Sequence, residues 1–150
     1  ELAGVKTHML LLNNKALFYG LSTDPLYNMM LSKFISRKRV IFKVRRKINY
    51  KLLDLNLLKS KTLIDNFGIL NGSEKYYLTM NMVSILLFLQ GKKISRDIVN
   101  KEIEKIFEIK ISELKENLVK KGFIKKYKEI FNNALNLILN SIKNKNGKQE

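Results

Sequence analysis

The chain has 150 residues and carries 29 Lys+Arg against 13 Asp+Glu, a net charge of +16. That length makes one domain, or two very small ones sharing a core, and 45% hydrophobic residues exclude a wholly disordered basic tail. Zero Cys and a single His, His8, exclude a disulfide framework, a thiolate metal site and a cysteine nucleophile, and leave little for imidazole chemistry. A reducing, intracellular location, cytoplasmic or nuclear, is the expectation. Lys (24) exceeds Arg (5), and Lys, Leu, Ile and Asn together exceed half the chain. This is the bias of an AT-rich coding sequence, so single Lys and Asn residues carry little information by themselves.

In chain order, residues 1–8 read as a vector-derived leader ahead of Met9, which removes His8 from functional reasoning. Residues 9–21 are apolar-rich and fit a first helix or a buried strand. Ser22-Thr23-Asp24-Pro25 is a helix start with proline in the first turn, and that helix should reach about Ser36 with Leu26, Met29, Met30 and Phe34 on one side. Residues 39–50 alternate like a strand with one basic and one apolar face. A helix over Leu52 to Phe67 places Leu55, Leu58, Leu63 and Ile64 inward, and Asn71-Gly72 suggests a short hairpin between Ile69-Leu70 and Tyr76-Tyr77-Leu78.

Thr79 looks like the N-cap of a central core helix, Met80 to Gln90, apolar on nearly all sides. Ser95 caps a helix to about Phe107. A third helix begins near Ile111, presents Ile111, Leu114 and Leu118, and ends at Lys120-Lys121-Gly122. Phe123 to Tyr127 reads as a short strand. Residues 127–142 form an amphipathic helix with an uncharged outer face of Asn132, Asn133, Asn136 and Asn140, and 143–150 form a polar, disordered tail.

A basic pI near 10.0 points to nucleic acid, an anionic membrane surface or an acidic protein as partner. No acidic residue lies between Asp24 and Asp54, and four of the five Arg fall in that window. Arg37, Lys38, Arg39, Lys43, Arg45, Arg46 and Lys47 are therefore candidate phosphate contacts, which give salt-dependent, sequence-blind affinity. The longest apolar run, Met82 to Leu89, is too short to cross a bilayer, and no secretory segment is visible, so a membrane is not the expected partner.

Residues 82–127, with Gln90-Gly91-Lys92, Ile94-Ser95-Arg96-Asp97-Ile98 and Leu118-Val119-Lys120-Lys121-Gly122-Phe123-Ile124-Lys125-Lys126, resemble a winged helix-turn-helix over about a third of the chain. The resemblance implies an α+β, mainly helical fold whose third helix enters the major groove. It assigns Lys110, Ser112, Lys115, Asn117 and Lys121 to the outer face of that helix, and Lys125, Lys126 and Lys128 to the wing side. Glu113 and Glu116 share that face, where a carboxylate beside phosphates costs affinity unless it accepts from a cytosine amine. Met82 to Gly91, preceded by a hairpin and a basic region, is also similar to melanoma-antigen homology domains, which implies protein-binding adaptor work.

No glycine-rich phosphate loop is present, since the seven Gly are scattered singly. The acids Glu102, Glu104 and Glu108 sit among lysines as helix-surface pairs, so neither an enzyme nor a cofactor is expected. The resulting organisation is a basic helix/strand region at 9–77, a winged helix at 78–128 and a C-terminal helix at 129–142 suited to homodimerisation. The expected function is DNA binding, as a transcriptional regulator or a replication or segregation factor. An adaptor holding an acidic protein partner and an RNA- or ribosome-associated structural protein are the rivals.

Overall fold

A computed structural model describes residues 13–31 and 47–146. It is mainly helical, with α1 (Asn14–Thr23), α2 (Pro25–Met30), α3 (Tyr50–Asp65), α4 (Gly72–Leu89), α5 (Arg96–Phe107), α6 (Ile111–Lys115) and α7 (Phe123–Asn146). Polar side chains set most helix starts by accepting from N–H groups that the first turn leaves unpaired. Asn13 caps α1 through Ala16 N–H at 2.8 Å, Asp24 caps α2 through Leu26 N–H at 2.8 Å, and Ser95 caps α5 through Ile98 N–H at 3.3 Å.

α4 is the axis of the domain. It is buried continuously from Leu78 to Phe88 and is packed by α2, α3, α5, α6 and α7, as expected of a helix apolar on all sides. α7 runs antiparallel to α3. The Tyr127 hydroxyl donates to the Ser60 carbonyl at 2.9 Å, and the Tyr50 hydroxyl donates to the Ser141 carbonyl at 3.4 Å.

Among the described residues there is no strand, which corrects the α+β expectation at two places. The hairpin expected around Asn71-Gly72 is instead the start of α4. Asn71 Oδ1 accepts from Glu74 N–H at 3.0 Å, and Glu74 Oε2 accepts from Asn71 N–H at 2.9 Å. This reciprocal capping box satisfies two donors that a turn would leave to solvent. Thr79 is consequently not a cap but a buried mid-helix residue, its hydroxyl donating to the Lys75 carbonyl at 2.7 Å.

The strand and basic wing expected at Phe123 to Tyr127 are the first turns of α7. Phe123, Tyr127, Phe131, Ala134 and Ile138 are all buried, a helical spacing that a strand cannot bring to one face. Phe123 meets Phe107 at 4.6 Å and Phe67 at 6.1 Å between ring centroids, and each such burial contributes about 1.5–3 kcal/mol. α7 also continues to Asn146, into the stretch expected to be a disordered tail.

Three inward assignments are corrected as well. Leu55 and Leu58 are 58% and 56% exposed, and Leu118 is also exposed. The face α3 buries is Leu53, Asn56, Leu57, Ser60 and Leu63. Its two polar members meet α4 through Asn81, whose Nδ2 donates to the Asn56 carbonyl and to Ser60 Oγ, both at 2.9 Å, while Asn56 Nδ2 and Asn81 Oδ1 are buried with no hydrogen-bond partner among the described residues.

Candidate nucleic-acid interface

Of the seven basic residues expected in the 37–47 patch, Arg37, Lys38, Arg39, Lys43, Arg45 and Arg46 lie outside the described residues. Lys47 is exposed just before α3, outside regular secondary structure, its N–H donating to the Ser22 carbonyl at 2.8 Å. Residues 47–49 are not in a strand, and the rest of the strand expected over 39–50, up to Arg46, lies outside the described residues.

The second basic region is fully described. Between Lys110 and Lys128 stand seven lysines and two glutamates, on α6, the connection at 116–122 and the first turns of α7. The third helix of the expected motif is short. α6 has five residues, about 7.5 Å at 1.5 Å per residue, and the chain leaves it through Asn117 at φ 65. Its end is pressed on the start of α4, where Gly72 has no room for a side chain. A Cβ there would stand 2.0 Å from the Lys115 carbonyl oxygen.

Several expected contact residues are occupied within the fold. Asn117 Oδ1 accepts from Lys75 Nζ at 2.7 Å. The Lys115 ammonium lies 4.6 Å above the Tyr76 ring, a cation–π arrangement. Glu113 Oε2 accepts from the Lys110 N–H at 2.9 Å, so that carboxylate serves the helix start. Lys126 Nζ pairs with Glu108 Oε1 at 3.0 Å, and Lys120 Nζ donates to the Glu108 carbonyl at 2.6 Å.

Glu108 occupies the left-handed position after α5, at φ 53. The hydrogen bond and charge of Lys126 hold its carboxyl below the usual carboxylate value. Glu104 Oε1 accepts from the Ile111 N–H at 3.1 Å. The α5–α6 turn is thus fastened by the acids that the sequence reading placed in surface pairs on α5. Lys110, Ser112, Lys121, Lys125 and Lys128 remain exposed, with no contact among the described residues of the kind that occupies Lys115, Asn117 and Lys126.

One buried cation was invisible in the sequence. Lys75 is 5% exposed, and its ammonium has the Asn117 amide oxygen on one side and the Phe67 ring at 4.2 Å on another. In a chain with 24 Lys, nothing in its spacing separates Lys75 from a solvated neighbour.

No group of three or more His, Asp or Glu among the described residues is placed to hold a metal ion, and no helix there is long and apolar enough to cross a membrane. No protein-family model matches the chain, nor does any curated protein or solved structure.

Proposed function

We propose that this is a non-enzymatic DNA-binding protein, a transcriptional regulator or a replication or segregation factor. Its α4, α5 and α6 follow the order of the three helices of a helix-turn-helix. The observation that carries the reading is the excess of exposed lysine over acid between Lys110 and Lys128. There one glutamate, Glu113, is turned to a helix N–H and the other, Glu116, is exposed, while the lysines project from a surface whose α5–α6 turn is fastened by Glu104 and Glu108. Such a surface neutralises phosphates and releases their counterions on binding. The test is fluorescence anisotropy of the protein with mixed-sequence duplex DNA, a hairpin RNA and polyglutamate over a salt titration. Tight, salt-steep binding to the duplex supports the reading, and absence of duplex binding at low salt overturns it.

The adaptor reading has one observation of its own. Leu55 and Leu58 form an i, i+3 pair facing outward from α3, and Leu137 and Leu139 are exposed on α7. A second copy or a partner helix would cover the Leu55/Leu58 pair, and sedimentation of the free protein separates dimer from monomer.

A further inference from the structure

We infer that duplex DNA is held through its phosphate backbone without regard to base sequence, by Lys110, Lys121, Lys125 and Lys128. This inference rests on the DNA-binding reading above and specifies which feature of the duplex is recognised. Reading base edges requires a helix that lies along the major groove and offers polar atoms free to pair with them. α6 supplies neither. It makes less than one and a half turns, and its last carbonyl is fixed against Gly72. Of the residues suited to bidentate readout here, Asn117 and Glu113 are engaged in the fold, and the exposed Glu116 carries a charge that repels phosphate. The Asn117 amide oxygen is committed to the Lys75 ammonium, and the Glu113 carboxylate to a backbone N–H.

What projects from this surface is mostly lysine, with Glu116 and Leu118 exposed among it. Apart from Ser112, the expected contact residues that are exposed and have no partner among the described residues are lysines, whose ammonium is a compact point charge rather than a planar fork. Point charges follow the regular spacing of phosphates and tolerate any base pair beneath them. Lys115, Lys120 and Lys126 contribute less, because each ammonium is already drawn to a ring, a carbonyl or a carboxylate. The four remaining lysines supply most of the ions released at this surface. At about 0.9 per neutralised phosphate, they account for a salt slope of about 3.6.

The experiment measures anisotropy with AT-rich, GC-rich and mixed duplexes from about 50 to 200 mM salt, a range over which a multi-phosphate contact loses orders of magnitude in affinity. Wild type is compared with Lys110→Ala/Lys121→Ala/Lys125→Ala/Lys128→Ala and with Ser112→Ala. All five positions are exposed, and circular dichroism confirms that the variants fold. The expected result is affinities within about threefold across the duplexes, unchanged in Ser112→Ala, with a slope shallower by about 3 to 4 in the quadruple variant. A preference above about tenfold for one duplex, the size of a base-specific contact, overturns the inference while leaving DNA binding intact. An unchanged slope in the quadruple variant places the contact elsewhere and also overturns it. Absence of binding to every duplex overturns the DNA-binding reading itself.

Discussion

Lys75 and Asn117, 42 residues apart in the chain, meet at 2.7 Å between the ammonium and the amide oxygen. Lys75 is on the second turn of α4 and Asn117 is the left-handed residue after α6. The bond ties the α6–α7 connection to the central helix. It also gives a buried ammonium, which faces no carboxylate among the described residues, its one hydrogen-bond acceptor.

Removing that acceptor should cost more than removing the charge. Asn117→Ala places a less tolerant residue at φ 65 and strands the ammonium, for about 2–4 kcal/mol in total. Lys75→Met keeps the apolar stem over Phe67 and removes the charge, with a cost below about 1 kcal/mol or a small gain. Urea unfolding of both single variants and the double variant checks this. A coupling energy of at least about 1 kcal/mol is expected, because the double variant no longer has a charge to strand.

Two glycines should respond in opposite directions to alanine. At Gly72 the added methyl meets backbone, the Lys115 carbonyl oxygen at 2.0 Å, so α4 and α6 must separate and stability falls by about 2–3 kcal/mol. At Gly68 a methyl meets nothing within 4 Å, and the restricted unfolded chain favours Gly68→Ala by about 0.4–1 kcal/mol. Thermal melts of the two variants report both signs.

Alkaline stability should depend on Tyr127. Burial pushes its hydroxyl well above the ordinary tyrosine value of 10.0. Below pH 10.0 the phenol is protonated in folded and unfolded chains alike, and the stabilisation is complete. Above that pH the unfolded chain ionises first, so stability falls as pH rises toward the folded-state value. Tyr127→Phe loses the bonds to the Ser60 and Leu78 carbonyls at 2.9 and 3.3 Å, about 1–3 kcal/mol at neutral pH. Urea midpoints measured from neutral to alkaline pH should show a shallower decline for the phenylalanine variant than for wild type.

Glu108→Gln should tighten polyanion binding. The substitution releases the Lys126 ammonium from its 3.0 Å partner and removes one negative charge beside Lys120. The salt slope with duplex DNA should steepen by about 1, read by the same anisotropy titration. The Lys120 bond goes to the Glu108 carbonyl and survives the change.

Helix positions were legible where a cap marked them. Asp24-Pro25 and Ser95 are local signals, and α2 and α5 begin where those residues stand. The inward face of α3 is not legible from hydropathy because two of its buried residues, Asn56 and Ser60, are polar and meet Asn81, 25 and 21 residues away, through the Asn56 carbonyl and Ser60 Oγ. Hydropathy then favoured the outward leucines. Phe123-Ile124-Lys125-Lys126-Tyr127 looks like a strand in a five-residue window. The helical repeat becomes clear only when Phe131, Ala134 and Ile138 are counted with it. The lysines of α6 and α7 were legible as charge. Their engagement with Glu108, Tyr76 and the Asn117 turn depends on which loops meet, which no window of the sequence contains.

The burial of α4 sets the order in which the molecule can open. From Leu78 to Phe88 its amides are covered on every side by other helices, so they can reach deuterium only when the whole bundle comes apart. Their exchange rates would therefore report global unfolding. The amides around Asn117 would exchange earlier, through openings that release Lys75 and leave the rest of the core closed.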